Sequence, residues 1–259
     1  MSDINISIPS GEKKRLLTGG KYCPDDIVVE VEEVDTDVAF EAGREAEYDA
    51  FWDAFQQFGK RTDYSNSFGA IWDDNTFKPK YDMKPTSGYM MFRSTNITDL
   101  RNLPVKLDFS RANNAQYMFQ WANIKYIGVI DVRNVTTELS GMFAYMQSLI
   151  SIDKIIFKED GTQKIDASMF ASASSLTELT IEGCIGKSLN LQWSKLLTRD
   201  SIMSVINALS STTSGLTLTL SQTAVSNAFE TSAGVADGVT SAEWLALTAT
   251  KSNWNIALA

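Results

Sequence analysis

The sequence contains no histidine. Without an imidazole, Ser-His-Asp and Cys-His nucleophile systems, His-ligated zinc and His proton shuttles are excluded together. Cysteine is nearly missing as well. Cys23 and Cys184 are the only two, they form no CxxC pair, and two independent thiols are expected rather than a structural zinc site or a disulfide-dense scaffold. Basic charge is scarce: 23 Lys and Arg stand against 32 Asp and Glu, a net charge of −9. Such a chain gains no counterion-release affinity for phosphate backbones, so nucleic acid is not an expected partner. No apolar run approaches the length that spans a bilayer, which argues against membrane insertion. The opening residues, Met1-Ser2-Asp3-Ile4, lack a basic stretch followed by an apolar core, so the expectation is a protein made in a cytoplasm and soluble there.

What is present is enough apolar material for a large core: 259 residues, 44% of them apolar. The charge is uneven. Residues 1–60 carry 6 basic and 14 acidic side chains, whereas residues 61–259 carry 17 and 18. That shift marks a candidate domain boundary. Ile4-Asn5-Ile6-Ser7-Ile8 alternates as a half-buried strand does, and Ile27-Val28-Val29-Glu30-Val31 is a second β-branched run. Turn signals at Pro9-Ser10-Gly11 and Thr18-Gly19-Gly20 lie between them. Residues 1–34 are therefore predicted to form a small β attachment module. Residues 35–87 follow as an acidic, aromatic helix and connecting segment. The helix is expected from Thr36 to about Phe58, with Phe40, Tyr48, Phe51, Trp52, Phe55 and Phe58 at spacings of three, four and seven, and with Gly59 as its C-terminal cap. The aromatic stripe is expected to pack within the chain.

Residues 88–259 carry a repeat. Met-Phe occurs at Met91-Phe92, Met118-Phe119, Met142-Phe143 and Met169-Phe170, with spacings of 27, 24 and 27 residues. Apolar residues recur behind each pair: Ile97, Leu100 and Leu103; Ile124, Ile127 and Ile130; Leu149, Ile152 and Ile155; Leu176, Leu179 and Ile181. No copy can bury its own apolar face, so neighbours must stack. The predicted fold class is an α/β repeat solenoid of leucine-rich-repeat type, with a short helical turn plus a strand per repeat. It is joined to the small N-terminal β module by the linking helix. Toward the end, Ile202, Val205, Ile206 and Leu209 predict an amphipathic helix capped by Thr198 or Asp200. Leu216, Leu218 and Leu220 predict a strand, and a last helix near Ser241 precedes a Trp254–Leu258 ending that would cap the stack.

The segment Asn134-Val135-Thr136-Thr137-Glu138-Leu139-Ser140-Gly141-Met142-Phe143, continuing to Leu149 and Ile152, resembles the BspA-type leucine-rich repeat. The resemblance covers about residues 88–258. It departs from the family pattern in copy length and in lacking the frequent cysteine after Met-Phe. Members of that family are mostly surface proteins of host-associated bacteria or products of their phages. The stretch Ile8-Pro9-Ser10-Gly11 through Leu16-Leu17-Thr18-Gly19-Gly20-Lys21-Tyr22-Cys23-Pro24-Asp25-Asp26-Ile27-Val28-Val29 is also similar to short N-terminal modules of tail-associated phage proteins.

Catalytic constellations are not expected. Asp73-Asp74-Asn75 offers oxygen ligands but lacks the spacing, Gly and closing Glu of a calcium loop. Glu159-Asp160-Gly161 reads as a β-turn. Gly19-Gly20-Lys21 lacks the remainder of a phosphate-binding loop, and no serine has a base to activate it. No catalytic, metal or cofactor residue is therefore assigned, and no cofactor is expected. On the strands, Asp99, Arg101, Lys125, Tyr126, Asp153, Lys154, Glu178 and Thr180 take outward positions. The expected function is non-catalytic binding or structure: host-surface recognition in a phage tail or baseplate, with a host receptor or other tail proteins as partners. The expected state is a homotrimer and the expected location a virion. A bacterial cell-surface adhesin is the alternative.

Overall fold

The computed structural model describes residues 36–57, 59–137, 139–229 and 238–259. The β module expected over 1–34 lies outside the described residues, as does Cys23. The chain divides into two compact units, Met1–Phe51 and Trp52–Ala259. Of the first, the helix α1 (Thr36–Phe55) is described, and its last turn belongs to the second unit.

The second unit opens on an aromatic cluster. Trp52 is fully buried and packs on Phe55, Phe68, Trp72 and Phe77 at centroid distances of 5.3–6.2 Å. Buried Gln56 fastens this end: its Oε1 accepts from the backbone N–H groups of Lys80 and Tyr81, and its Nε2 donates to the Tyr81 carbonyl. For Trp52 and Phe55, the aromatic stripe does pack within the chain.

From there a ring row runs through the core. Phe92, Phe119, Phe143 and Phe170 are fully buried and stacked nearly parallel, with neighbouring centroids 5.4, 5.5 and 5.1 Å apart and neighbouring planes within 15°. Phe68 extends the row by one ring, 5.2 Å from Phe92. The backbone explains the Met-Phe pair. Each row Phe donates its N–H to the carbonyl of the residue preceding the next ring: Phe68 to Met91, Phe92 to Met118, Phe119 to Met142 and Phe143 to Met169, at 2.7–2.9 Å. Residues two places from the rings take left-handed backbone, at Asn66, Met90, Ser94, Tyr117, Trp121, Gly141, Tyr145 and Ser172 (φ 52–64°). This lets alternate N–H groups point the same way, toward the next copy, so the buried turns satisfy their polar backbone by stacking.

Behind the ring row, β1 (Tyr126–Asp131), β2 (Ser151–Ile156) and β3 (Glu178–Glu182) pair in parallel in the order β1-β2-β3. A second parallel sheet, β4-β5-β6, is built from β4 (Leu189–Leu191), β5 (Leu216–Leu220) and β6 (Trp254–Leu258). Three further helices follow in the chain: α2 (Arg199–Ala208), α3 (Gln222–Ala228) and α4 (Ala242–Ala249). Thr198 caps α2, accepting from the Ser201 N–H, and Ser241 caps α4, accepting from the Trp244 N–H.

The predicted leucine-rich-repeat solenoid is thereby corrected. Among the described residues the fold is two separate three-stranded parallel sheets with four α-helices, not a strand and a helical turn in every repeat. Three physical causes are visible. In the first Met-Phe copy, Asn102-Leu103-Pro104 interrupts the strand position, and isolated bridges stand there, at Asp73↔Asn96, Met83↔Leu107 and Asp99↔Tyr126. The Met-Phe segments carry left-handed residues two places from the ring, which a right-handed helical turn cannot hold. Beyond β3, helix α2 stands where the next strand would pair. Its Ser201 hydroxyl accepts from the Leu179 N–H and donates to the Thr177 carbonyl, while Ser204 accepts from the Ile181 N–H. The sheet edge is closed by hydroxyls instead of by a strand. Gly183 and Gly186 mark the break. Added Cβ atoms there would come within 2.3 Å of the Phe157 carbonyl oxygen and 2.2 Å of that of Gly161.

Candidate binding surface

The polar residues that sequence patterning placed outward fall into two groups. Asp99, Arg101, Tyr126 and Asp153 converge. Arg101 donates to the Asp99 carboxylate at 2.9 Å, its guanidinium lies 4.1 Å from the Tyr126 ring centroid, and Asp153 acts on its charge. Burial alone would raise the Asp99 carboxyl, but hydrogen bonds from the Arg101 side chain and backbone hold it below its ordinary value. Lys154 reaches across to Glu182 at 2.7 Å. Glu178 and Thr180 are exposed on β3, and Lys125 is exposed just before β1. These charges largely neutralise one another, as solvated pairs on a sheet face do.

The acidic motifs serve the backbone. Asp73 accepts from the N–H groups of Asn75 and Thr76 and from the Thr76 hydroxyl. Asp74 accepts from the Thr98 N–H, 24 residues on, which staples neighbouring copies. Asp160 accepts from the Thr162 N–H and hydroxyl beside Gly161, whose φ is +69°. Among the described residues, no three His, Cys, Asp or Glu side chains are grouped to hold a metal ion, and no helix is long and apolar enough to cross a membrane. Cys184 is a half-buried free thiol.

Next to the charged cluster, the strand-free stretch after Arg101 leaves a groove of about 340 Å³, lined by Leu103, Val105, Leu107, Phe109 and Val129 among others. It is open to solvent, and Arg101, Lys106 and Asp153 add a polar side to its lining.

A different edge was not singled out by sequence patterning. Two residues after each row ring stands one position of a column: Ser94, Trp121, Tyr145 and Ser172. All four have left-handed backbone, at φ 59, 64, 62 and 58°. Trp121 and Tyr145 are 53% and 42% exposed, and their rings stack at 4.5 Å with planes 18° apart. A bulky aromatic at positive φ is uncommon and costs about 1–2 kcal/mol. Stacking offsets about 0.5–1.5 kcal/mol of that for the pair. Two residues further on, a parallel column holds Asn96, Asn123, Gln147 and Ser174, all exposed. Asn123 Nδ2 donates to Asn96 Oδ1 at 2.7 Å, and Asn96 Nδ2 donates to the Ala70 carbonyl at 2.8 Å. The signal was available in the sequence: Met-Phe plus two reads Ser, Trp, Tyr, Ser. Only the left-handed backbone makes that position face outward.

No family model matches the chain, and searches of curated proteins and of solved structures find no match either.

Proposed function

We propose that this protein is a non-catalytic recognition protein that works within an assembly, a phage tail or baseplate, and faces a host cell surface. The observation that carries the reading is the exposed Trp121–Tyr145 pair, held by repeated backbone geometry on an edge of stacked copies. Repetition at regular spacing along a stack suits an extended partner better than a small substrate. Asp73, Asp74 and Asp160, the acids of the two turn motifs, serve as turn caps and a staple between copies, which supports a structural use for them. The placement in a tail rests on the similarity of residues 8–29 to N-terminal modules of tail-associated proteins, and attachment as a homotrimer goes with it.

The test uses the full chain. Fluorescently labelled protein is incubated with intact bacterial cells of several species, and its oligomeric state is measured by light scattering. Saturable binding to at least one species, by an oligomer, is expected. A monomer that binds no cell and turns over a small substrate would overturn the reading.

A further inference from the structure

Resting on that reading of the chain as a surface-recognition protein, we propose that the Trp121–Tyr145 edge binds a neutral polysaccharide chain. The fold does not require aromatics there. Ser94 and Ser172 hold the same position in the neighbouring copies at the same left-handed φ. The two rings stack face to face, each covering one face of the other, and the serines on either side end the aromatic run, so the outer ring faces have no aromatic neighbour within the column and the pair forms a half-exposed apolar ridge. A ring of this kind is matched by the flat C–H face of a pyranose. Indole and phenol bring large contact area with little side-chain freedom to lose.

The adjoining column decides the class of partner. Asn123 and Gln147, exposed two residues beyond the two rings, offer amide donors and acceptors of the kind that pair with sugar hydroxyls. Asn123 is already held by its bond to Asn96, so part of the polar rim is pre-organised. Neither column carries a residue charged at neutral pH. On the strand face the charges are paired, Arg101 with Asp99 and Lys154 with Glu182, and the exposed Lys125, two residues beyond Asn123, lies outside both columns. Arg93, next to Ser94 in the chain, is turned to the Met90 sulfur. An anionic polymer would find no cationic partner in these columns, and an apolar protein surface would leave the exposed amides without partners. A neutral, hydroxyl-rich chain leaves neither fault.

The chain carries a net charge of −9, so it migrates readily in native gels, and affinity electrophoresis reads binding directly. Gels are cast with mannan, dextran or hydroxyethylcellulose as neutral polymers, with polygalacturonate as an anionic one, and with none. Retardation by at least one neutral polymer is expected. Trp121→Gly combined with Tyr145→Gly removes both rings at positions whose left-handed backbone glycine adopts freely, so folding is retained, and the dissociation constant should rise at least tenfold. Asn123→Asp with Gln147→Glu should weaken binding about fivefold or more. The swap Trp121→Tyr with Tyr145→Trp should keep the retardation within about threefold. No retardation in any neutral gel, retardation by polygalacturonate alone, or retardation that survives the double glycine variant overturns the proposal. Cell binding separates the two readings: if the double glycine variant still binds cells as the parent does, surface recognition stands and the polysaccharide site falls.

Discussion

Between residues 59 and 182 the chain fills its core by stacking turns on turns. Between 189 and 258 it lays helices beside a three-stranded sheet. Both stretches must hide parallel strands and satisfy buried backbone. The first does so with a row of stacked, nearly parallel phenylalanines and left-handed residues, each copy bonding to the next. The second uses aliphatic side chains, Ile202, Val205 and Ile206 of α2 and Leu218 and Leu220 of β5, with capped helices. The ring row demands near-identical copies, because a missing ring leaves its neighbours without a partner on one face. The helical stretch tolerates units of different length, because each helix buries its own stripe. Ser201 and Ser204 of α2, closing the β3 edge, are where one solution hands over to the other.

If that division is right, the largest effect comes from the middle of the row. Phe143→Ala should cost about 3–5 kcal/mol, as for other fully buried Phe residues, measured by urea denaturation followed by far-UV circular dichroism. A cost below about 1 kcal/mol would show that the row is not the source of stability there. Gly183→Ala comes next. Its φ of +91° and a Cβ 2.3 Å from the Phe157 carbonyl oxygen force the backbone to move at the break between the sheets. About 2–4 kcal/mol should be lost in the same assay, combining strain with displaced packing. Ser201→Ala tests the handover itself. It strips one hydrogen-bond partner from the Leu179 N–H and one from the Thr177 carbonyl. A loss of about 1–3 kcal/mol is expected, and faster amide exchange at Leu179 than at Ile152 would locate it.

The smallest effect is the pH dependence of the stacked stretch. The Arg133 side chain bonds Asp131 and holds its carboxyl below the ordinary value, and the hydroxyl and N–H of Ser110 do the same for Asp108. A depressed folded-state pKa gives stability that is present above the unfolded value, about 3.9, and is lost as pH falls through the folded one. The urea midpoint should therefore hold from neutral pH to about 5 and fall below 4. Asp131→Asn should make that acid loss shallower. An unchanged acid profile in that variant would remove Asp131 from the account.

Much of the second stretch was legible in the sequence. The i, i+3, i+4, i+7 pattern of Ile202, Val205, Ile206 and Leu209, the Leu216–Leu220 alternation and the start at Ser241 all match observed elements. Local propensity and capping chemistry act over a few residues, so these signals are written locally. The row of rings was legible too, as a spacing of Met-Phe pairs, although Phe68 was hidden because serine precedes it where methionine precedes the others. Its 24-residue distance from Phe92 equals that between Phe119 and Phe143. The regular solenoid and the exposed pair were misjudged or missed for one reason. Whether a copy makes a strand, and whether Trp121 points inward or out, depends on φ at single residues and on what lies alongside. Neither is visible in apolar spacing.

The sequence by itself determined the composition of the core, the copy spacing, the helix caps and the absence of histidine chemistry, because these depend on residue identity and short-range pattern. Tertiary structure alone decided that the strands fall into two sheets, since that rests on α2 reaching β3 with two serines and on backbone passing within van der Waals reach of Gly183 and Gly186. It also decided that Trp121 and Tyr145 stack on the surface. Their side chains are turned outward by left-handed residues that pairing with the next copy holds in place, and such pairing exists only once the copies are stacked.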